Sequence, residues 1–115
     1  MLRFARVLLL FCAVYLPWQV AAQVAVPALT GHVIDQTGTL SAEQLRSLEQ
    51  TLRAFEARKG SQLAVLIVPT TQPETIEQFG IRVADKWKLG RKKVDDGAIL
   101  LVAKNDRTVR IEVGY

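Results

Sequence analysis

Two unbroken apolar runs, Leu63 to Val68 and Ala98 to Ala103, constrain this chain more than any other feature. A strand with one wet face alternates. A run without alternation, closed in the first case by Pro69, is the pattern of a strand buried on both faces, as in a parallel sheet. Parallel neighbours need a long crossover, and Glu74 to Lys88 supplies one. There Ile76, Phe79, Val83 and Trp87 recur at helical spacing, with Pro73 at the first turn and Gly90 as a stop. Gly80 inside that helix costs about 1 kcal/mol relative to Ala. The polar loop Arg91 to Gly97 leads into the second strand.

The flanking segments extend this unit. His32 to Asp35 reads as a short first strand after an extended, Pro27-containing lead-in. Ser41 and Gln44 have the spacing of a capping box, and Leu40 and Leu45 that of a hydrophobic staple. Leu45, Leu48, Leu52 and Phe55 then form one helical face, with Glu49 and Arg53 expected as an i,i+4 pair on the wet side. Arg58 and Lys59 suit the negative end of that helix, and Gly60 supplies a left-handed stop. After the second apolar run, Asn105-Asp106 predicts a tight turn. Thr108 to Val113 alternates, with Val109, Ile111 and Val113 on one face and Arg110 and Glu112 on the other. The predicted fold is α/β, a central mixed sheet in the order β-α-β-α-β-β with helices packed on it. Two strands buried on both faces need cover on both faces. Two helices leave one side bare unless further elements join it, so the unit reads as a partial domain.

Composition matters mainly through its distribution. Residues 1–22 hold 18 of the 57 apolar residues, the single Cys and two of the 15 Lys and Arg. Arg3 and Arg6, the apolar run Val7 to Leu16 and the small residues Val20 and Ala22 have the layout of a secretory signal. The run is about half the 20 residues a membrane span requires. The chain is therefore expected to be exported, periplasmic or secreted, with residues 1–22 removed. An N-terminal membrane anchor is the alternative. Without that segment, 13 basic residues face 11 acidic ones, which gives no electrostatic footprint for nucleic acid. Cys12 lies inside the signal, so a disulfide scaffold, a thiol nucleophile and a Cys-zinc site are excluded from the remainder.

Candidate chemistry is sparse. His32 is the only His, and Ser41, Ser47 and Ser61 sit in no Gly-x-Ser-x-Gly elbow. No phosphate-binding glycine loop is present, and no organic cofactor is expected. Lys86, Lys88, Arg91, Lys92 and Lys93 around Trp87 read either as an anion-binding patch or as cations placed at a helix C-terminus. Asp95 and Asp96 precede a strand and Asp35 ends one. Adjacent carboxylates provide oxygen ligands for a hard cation such as Ca²⁺ or Mg²⁺, and Asp-Asp-Gly is equally a turn.

Several segments carry a resemblance. Val33-Ile34-Asp35, Leu40-Ser41 and Gly60 to Val65 look like the opening of the TPM domain family. Trp87 to Lys93, Asp95 to Ala103, Asn105-Asp106-Arg107 and Arg110 to Tyr115 resemble its middle. The resemblance spans residues 33–115, after a 1–22 signal and a 23–32 lead-in. It implies a sheet with helices on both sides, and further helices after a Gly-Tyr motif that this chain lacks. It also implies acid phosphatase activity, divalent-metal binding, or a role in assembling membrane complexes. Asp35 and Asp95 match the family directly, while Asp96 stands where the family more often has Asn. The expected metal ligands are Asp35, Asp95 and Asp96, with Ca²⁺ or Mg²⁺ as the ion. The expected function is a cell-envelope accessory module binding an envelope or membrane protein partner, and the alternative is a metal-assisted acid phosphatase acting on phosphomonoesters. Membrane association is expected only through an uncleaved N-terminal segment or a C-terminal anchor beyond Tyr115.

Overall fold

The computed structural model describes residues 22–89 and 97–114. Six elements follow one another: β1 (Val33–Asp35), α1 (Ala42–Lys59), β2 (Gln62–Val68), α2 (Ile76–Trp87), β3 (Gly97–Ala103) and β4 (Thr108–Gly114). The predicted order and the α/β class are those observed. The four strands form one sheet in the order β1-β2-β3-β4. β1 and β2 run parallel, as do β2 and β3, and β4 closes the sheet antiparallel to β3.

Local chemistry explains both helix boundaries. Ser41 accepts the amide of Gln44 at 3.1 Å, and the Gln44 side chain accepts the Ser41 amide at 2.9 Å. Gly60 ends α1 in the left-handed region at φ 77°, which only Gly adopts without steric cost. α2 begins at Ile76, two residues later than its periodicity predicts. Thr75 and Gln78 form a second capping box there. A cap fixes where the orphan amides find acceptors, and so fixes the first helical residue more sharply than apolar spacing does.

The core lies on one face of the sheet. Ala64, Leu66 and Val68 of β2 stand beside Ile99, Leu101 and Ala103 of β3. Ile76, Phe79, Val83 and Trp87 of α2 cover them, joined by Val26. Phe79, Leu66, Leu101, Val68 and Val83 are sealed from solvent. At about 1.5–3 kcal/mol for each large apolar side chain removed from water, this cluster is the main stabilising mass of the fold. α1 lies over β1 and β2. None of its apolar residues joins the cluster, and Leu45, Leu48, Leu52 and Phe55 are only half-buried.

One expectation about exposure is corrected. β3 is not buried on both faces: Leu100 on its second face is 37 % exposed. The alternation of β4 is as predicted, and its charged face is the one turned toward the core side of the sheet. Arg110 and Glu112 oppose Leu101 and Ile99, on the α2 side of the sheet. A Cβ placed on Gly80 of α2 would lie 3.2 Å from Glu112 Oε2. Val109, Ile111 and Val113 face away from the core and are 59–65 % exposed. Gly80 is therefore the residue that lets α2 settle against the Arg110–Glu112 ion pair, which offsets its weak helix propensity.

The lead-in is held by α2 as well. Arg82 donates to the Val24 carbonyl at 2.7 Å, Lys86 Nζ to the Val26 carbonyl at 2.8 Å, and the Trp87 indole N–H to the Pro27 carbonyl at 2.8 Å. Lys86 thus holds backbone rather than an anion, and Trp87 belongs to the buried stripe. Arg82 is itself fixed by Glu74 and lies over the Phe79 ring, 5.4 Å from its centroid.

Candidate functional sites at the two ends of the sheet

In parallel sheets ligands bind outside the carboxyl ends of the strands. Here that end is built from Asp35 at the end of β1, Pro69 to Thr71 after β2, and the turn Lys104 to Arg107 after β3. Asp35 is occupied by its own loop. Its Oδ1 accepts the Thr37 amide at 2.9 Å and the Thr37 hydroxyl at 2.6 Å, and its Oδ2 accepts the Leu40 amide at 2.8 Å. Burial raises the Asp35 pKa, but the bonds from Leu40 and Thr37 outweigh it and hold the carboxyl below its ordinary value. Asp106, in the turn after β3, has an equivalent role toward the connection after β2. The Thr70 hydroxyl lies 2.8 Å from both its oxygens, and the Thr71 amide bonds Oδ2 at 3.0 Å. Both acids order loops through a satisfied set of donors.

The candidate metal ligands do not all fall within view. Asp95 and Asp96, with the flanking cations Arg91, Lys92 and Lys93, lie outside the described residues. Asp35 is in register with Ile67, and Ile67 with Val102. Gly97, the first described residue of β3, is five positions from Val102, about 17 Å along the strand at roughly 3.3 Å per residue. Asp35 is therefore at the end of the sheet opposite to Gly97. Among the described residues, no group of three or more His, Cys, Asp or Glu is arranged to hold a metal ion.

The opposite end holds a constellation that the sequence did not announce. His32, just before β1, lies between two carboxylates of α1. Its Nδ1 is 2.5 Å from Glu49 Oε2, and its Nε2 is 2.9 Å from Glu56 Oε1. Glu49 Oε1 also accepts the backbone amides of His32 at 2.7 Å and Val33 at 3.2 Å. Burial disfavours the charged imidazolium, yet the bonds and charges of Glu56 and Glu49 together raise the His32 pKa above 6.5. Burial likewise opposes the Glu49 carboxylate, and the bonds from His32 and Val33 lower its pKa. The expectation of Glu49 on the wet side of α1 is corrected. Its side chain is only 23 % exposed and faces β1, and its pair with Arg53 is a weak contact at 3.4 Å. Periodicity cannot find this cluster, because the partners are 17 and 24 residues from His32. The one available signal is the placement of Glu49 and Glu56 two helical turns apart, flanking the apolar stripe.

A cavity of about 340 Å³ opens beside this cluster, bounded by Leu29, His32, Arg53, Glu56, Leu63 and Leu89 among others. No helix of the described residues is long and apolar enough to cross a membrane. No curated protein matches the chain. The model of the TPM domain matches residues 33–115, which takes in all six elements and leaves only the strapped lead-in and the segment before it outside. That match takes in well over half of the chain, and the chain belongs to the TPM domain family.

Proposed function

We propose that this chain is an exported accessory module of the cell envelope that binds a protein partner through the outer face of β4. The observation that carries the reading is the exposed apolar face of β4. Val109, Ile111 and Val113, with Leu100 beside them, expose a continuous apolar stripe on the outermost strand of the described sheet. Covering the exposed part of the three β4 side chains is worth roughly 3–6 kcal/mol on the scale of apolar burial. The secretory-type layout of residues 1–22 supports the envelope as the compartment.

The test is crosslinking in the envelope with the full chain and with Ile111→Lys. Ile111 is 65 % exposed, so the substitution should leave folding intact. It should also remove a partner that the wild type captures reproducibly. Capture of the same partner by Ile111→Lys would refute the β4 surface.

Divalent-metal binding enters this reading in a narrower form than the sequence suggests. Asp35 already serves three donors and lies at the other end of the sheet from Gly97, so an oxygen site formed by Asp95 and Asp96 would assemble without it. Calorimetric titration with Ca²⁺ or Mg²⁺ should show binding that Asp95→Asn with Asp96→Asn abolishes and Asp35→Asn spares. Loss of affinity in Asp35→Asn with its fold retained would restore the three-ligand site. The phosphatase alternative ranks below the module, because no described side chain is placed as a nucleophile beside a general acid. Turnover of an aryl phosphate by the wild type that disappears in the Asp95, Asp96 double variant would reverse that order.

A further inference from the structure

The cavity beside the His32 cluster has a lining that specifies a ligand. Arg53 and Glu56 are three residues apart on α1, a spacing that puts their side chains next to each other on one helix face. They present one positive and one negative group to the same opening. The Arg53 side chain is 71 % exposed, and its ion pair among the described residues is the 3.4 Å contact with Glu49. Such a pair is worth little, so the guanidinium can turn toward an anion at low cost. Glu56 gives Oε1 to His32. Of the lining residues, Arg53 and Glu56 carry opposite charges side by side, with His32 bonded to Glu56, so the lining is polarised locally. The rest of the wall is mixed: Leu29, Leu63, Ala64 and Leu89 form its apolar part, and Thr30, Gly31 and Gln62 complete it. The volume, about 340 Å³, falls at the lower end of the range for small-molecule sites.

We infer that this cavity binds a small zwitterion with an apolar body, namely a free α-amino acid with a neutral, apolar side chain. The ligand carboxylate pairs with Arg53, where a planar guanidinium can offer two parallel N–H donors. The ligand ammonium meets Glu56. The two ligand charges sit on one carbon, which matches the adjacent placement of Arg53 and Glu56. The side chain then lies against Leu29, Leu63 and Leu89. A purely anionic ligand would satisfy Arg53 and face Glu56 unpaired, and a purely cationic one would do the reverse. This site is independent of the β4 surface and lies on other elements.

The probe is leucine, titrated into the full chain and followed by amide chemical shifts and calorimetry. N-acetylleucine removes the ammonium, leucine methyl ester removes the carboxylate, and glycine removes the apolar body. Leucine should saturate, shift the amides of Leu29, Leu63 and Leu89, and bind at least about tenfold tighter than each analogue. Arg53→Gln, on an exposed residue, should keep its melting temperature, lose at least about tenfold in leucine affinity, and bind the methyl ester as the wild type does. Failure to saturate by about 50 mM leucine, an affinity in the millimolar regime being the weakest that counts as binding, overturns the inference. So does any analogue that binds as tightly as leucine, or an unchanged leucine affinity in Arg53→Gln.

Discussion

Replacing Glu49 with Ala is the most informative single perturbation of this fold. Glu49 joins β1 to α1 through three bonds: the His32 amide at 2.7 Å, the Val33 amide at 3.2 Å and His32 Nδ1 at 2.5 Å. β1 is three residues long and has few other anchors, among them its pairing with β2. Each neutral hydrogen bond contributes about 0.5–1.5 kcal/mol and one to a charged group about 1.5–3 kcal/mol. The Glu49 side chain is 23 % exposed, so water recovers a share of that loss, and the expected cost is about 2–4 kcal/mol. For a domain of this size that lowers the melting temperature by roughly 10–30 °C. Glu49→Gln separates charge from geometry. It keeps an acceptor for the backbone amides and should cost only about 1 kcal/mol. Urea denaturation at pH 6, followed by circular dichroism, measures both. A cost below about 0.5 kcal/mol for Glu49→Ala, the level of an ordinary surface substitution, would show that Glu49 does not fasten β1.

Three further outcomes follow from the same geometry. The raised His32 pKa means that its contribution is fully present below about pH 6.5 and is lost as pH rises through the folded value, while the lowered Glu49 pKa gives a contribution present above about pH 4.5 and lost as pH falls through its folded value. The stability difference between wild type and His32→Gln should therefore be largest between these limits and shrink toward pH 9; a flat difference in urea titrations across that range would contradict the clamp. Gly80→Ala should fall within about 1 kcal/mol of wild type, helix propensity offsetting the 3.2 Å approach to Glu112, whereas Gly80→Leu should lose about 1–3 kcal/mol by overpacking. Equal stability of the two variants would mean that α2 does not rest on β4. Asp106→Ala should cost about 1–3 kcal/mol and speed hydrogen exchange at the Thr71 amide, which bonds Asp106; unchanged exchange would remove Asp106 as the ordering group of that loop.

The features legible in the chain alone are local ones. Ser41, Gln44 and Gly60 bracket α1 because capping chemistry acts over a few residues. The stripe of α2 is legible because Ile76, Phe79, Val83 and Trp87 pack as a unit. Thr75 is harder to see as a cap because Pro73 offers a competing helix start. The facing of β4 is hidden for a different reason. Alternation shows that Val109, Ile111 and Val113 share a face, but which face meets α2 depends on a close approach at Gly80 that only the folded chain reveals. The His32 cluster is hidden because its partners come from a helix far along the chain, and Glu49 reads as solvent-facing because a neighbouring Arg53 offers a simpler pair. The acids differ in the same way. Asp35 stands out as a metal ligand, while its oxygens serve Thr37 and Leu40. Asp106 orders the loop after β2 in the same manner, yet in the sequence it is only a turn residue.

The three bonds from α2 to the lead-in have a consequence for how this molecule can change over time. Arg82, Lys86 and Trp87 all grasp main-chain carbonyls, of Val24, Val26 and Pro27. A carbonyl is the same whatever side chain it carries. The path of the lead-in is thus dictated from the helix, while its other letters are free to drift, Val24 and Val26 excepted because they pack with the core and Leu29 because it lines the cavity. Divergent copies of this segment should follow one course over the protein even where they share almost no residues, and grafted peptides that keep a small apolar residue at position 26 should adopt it too.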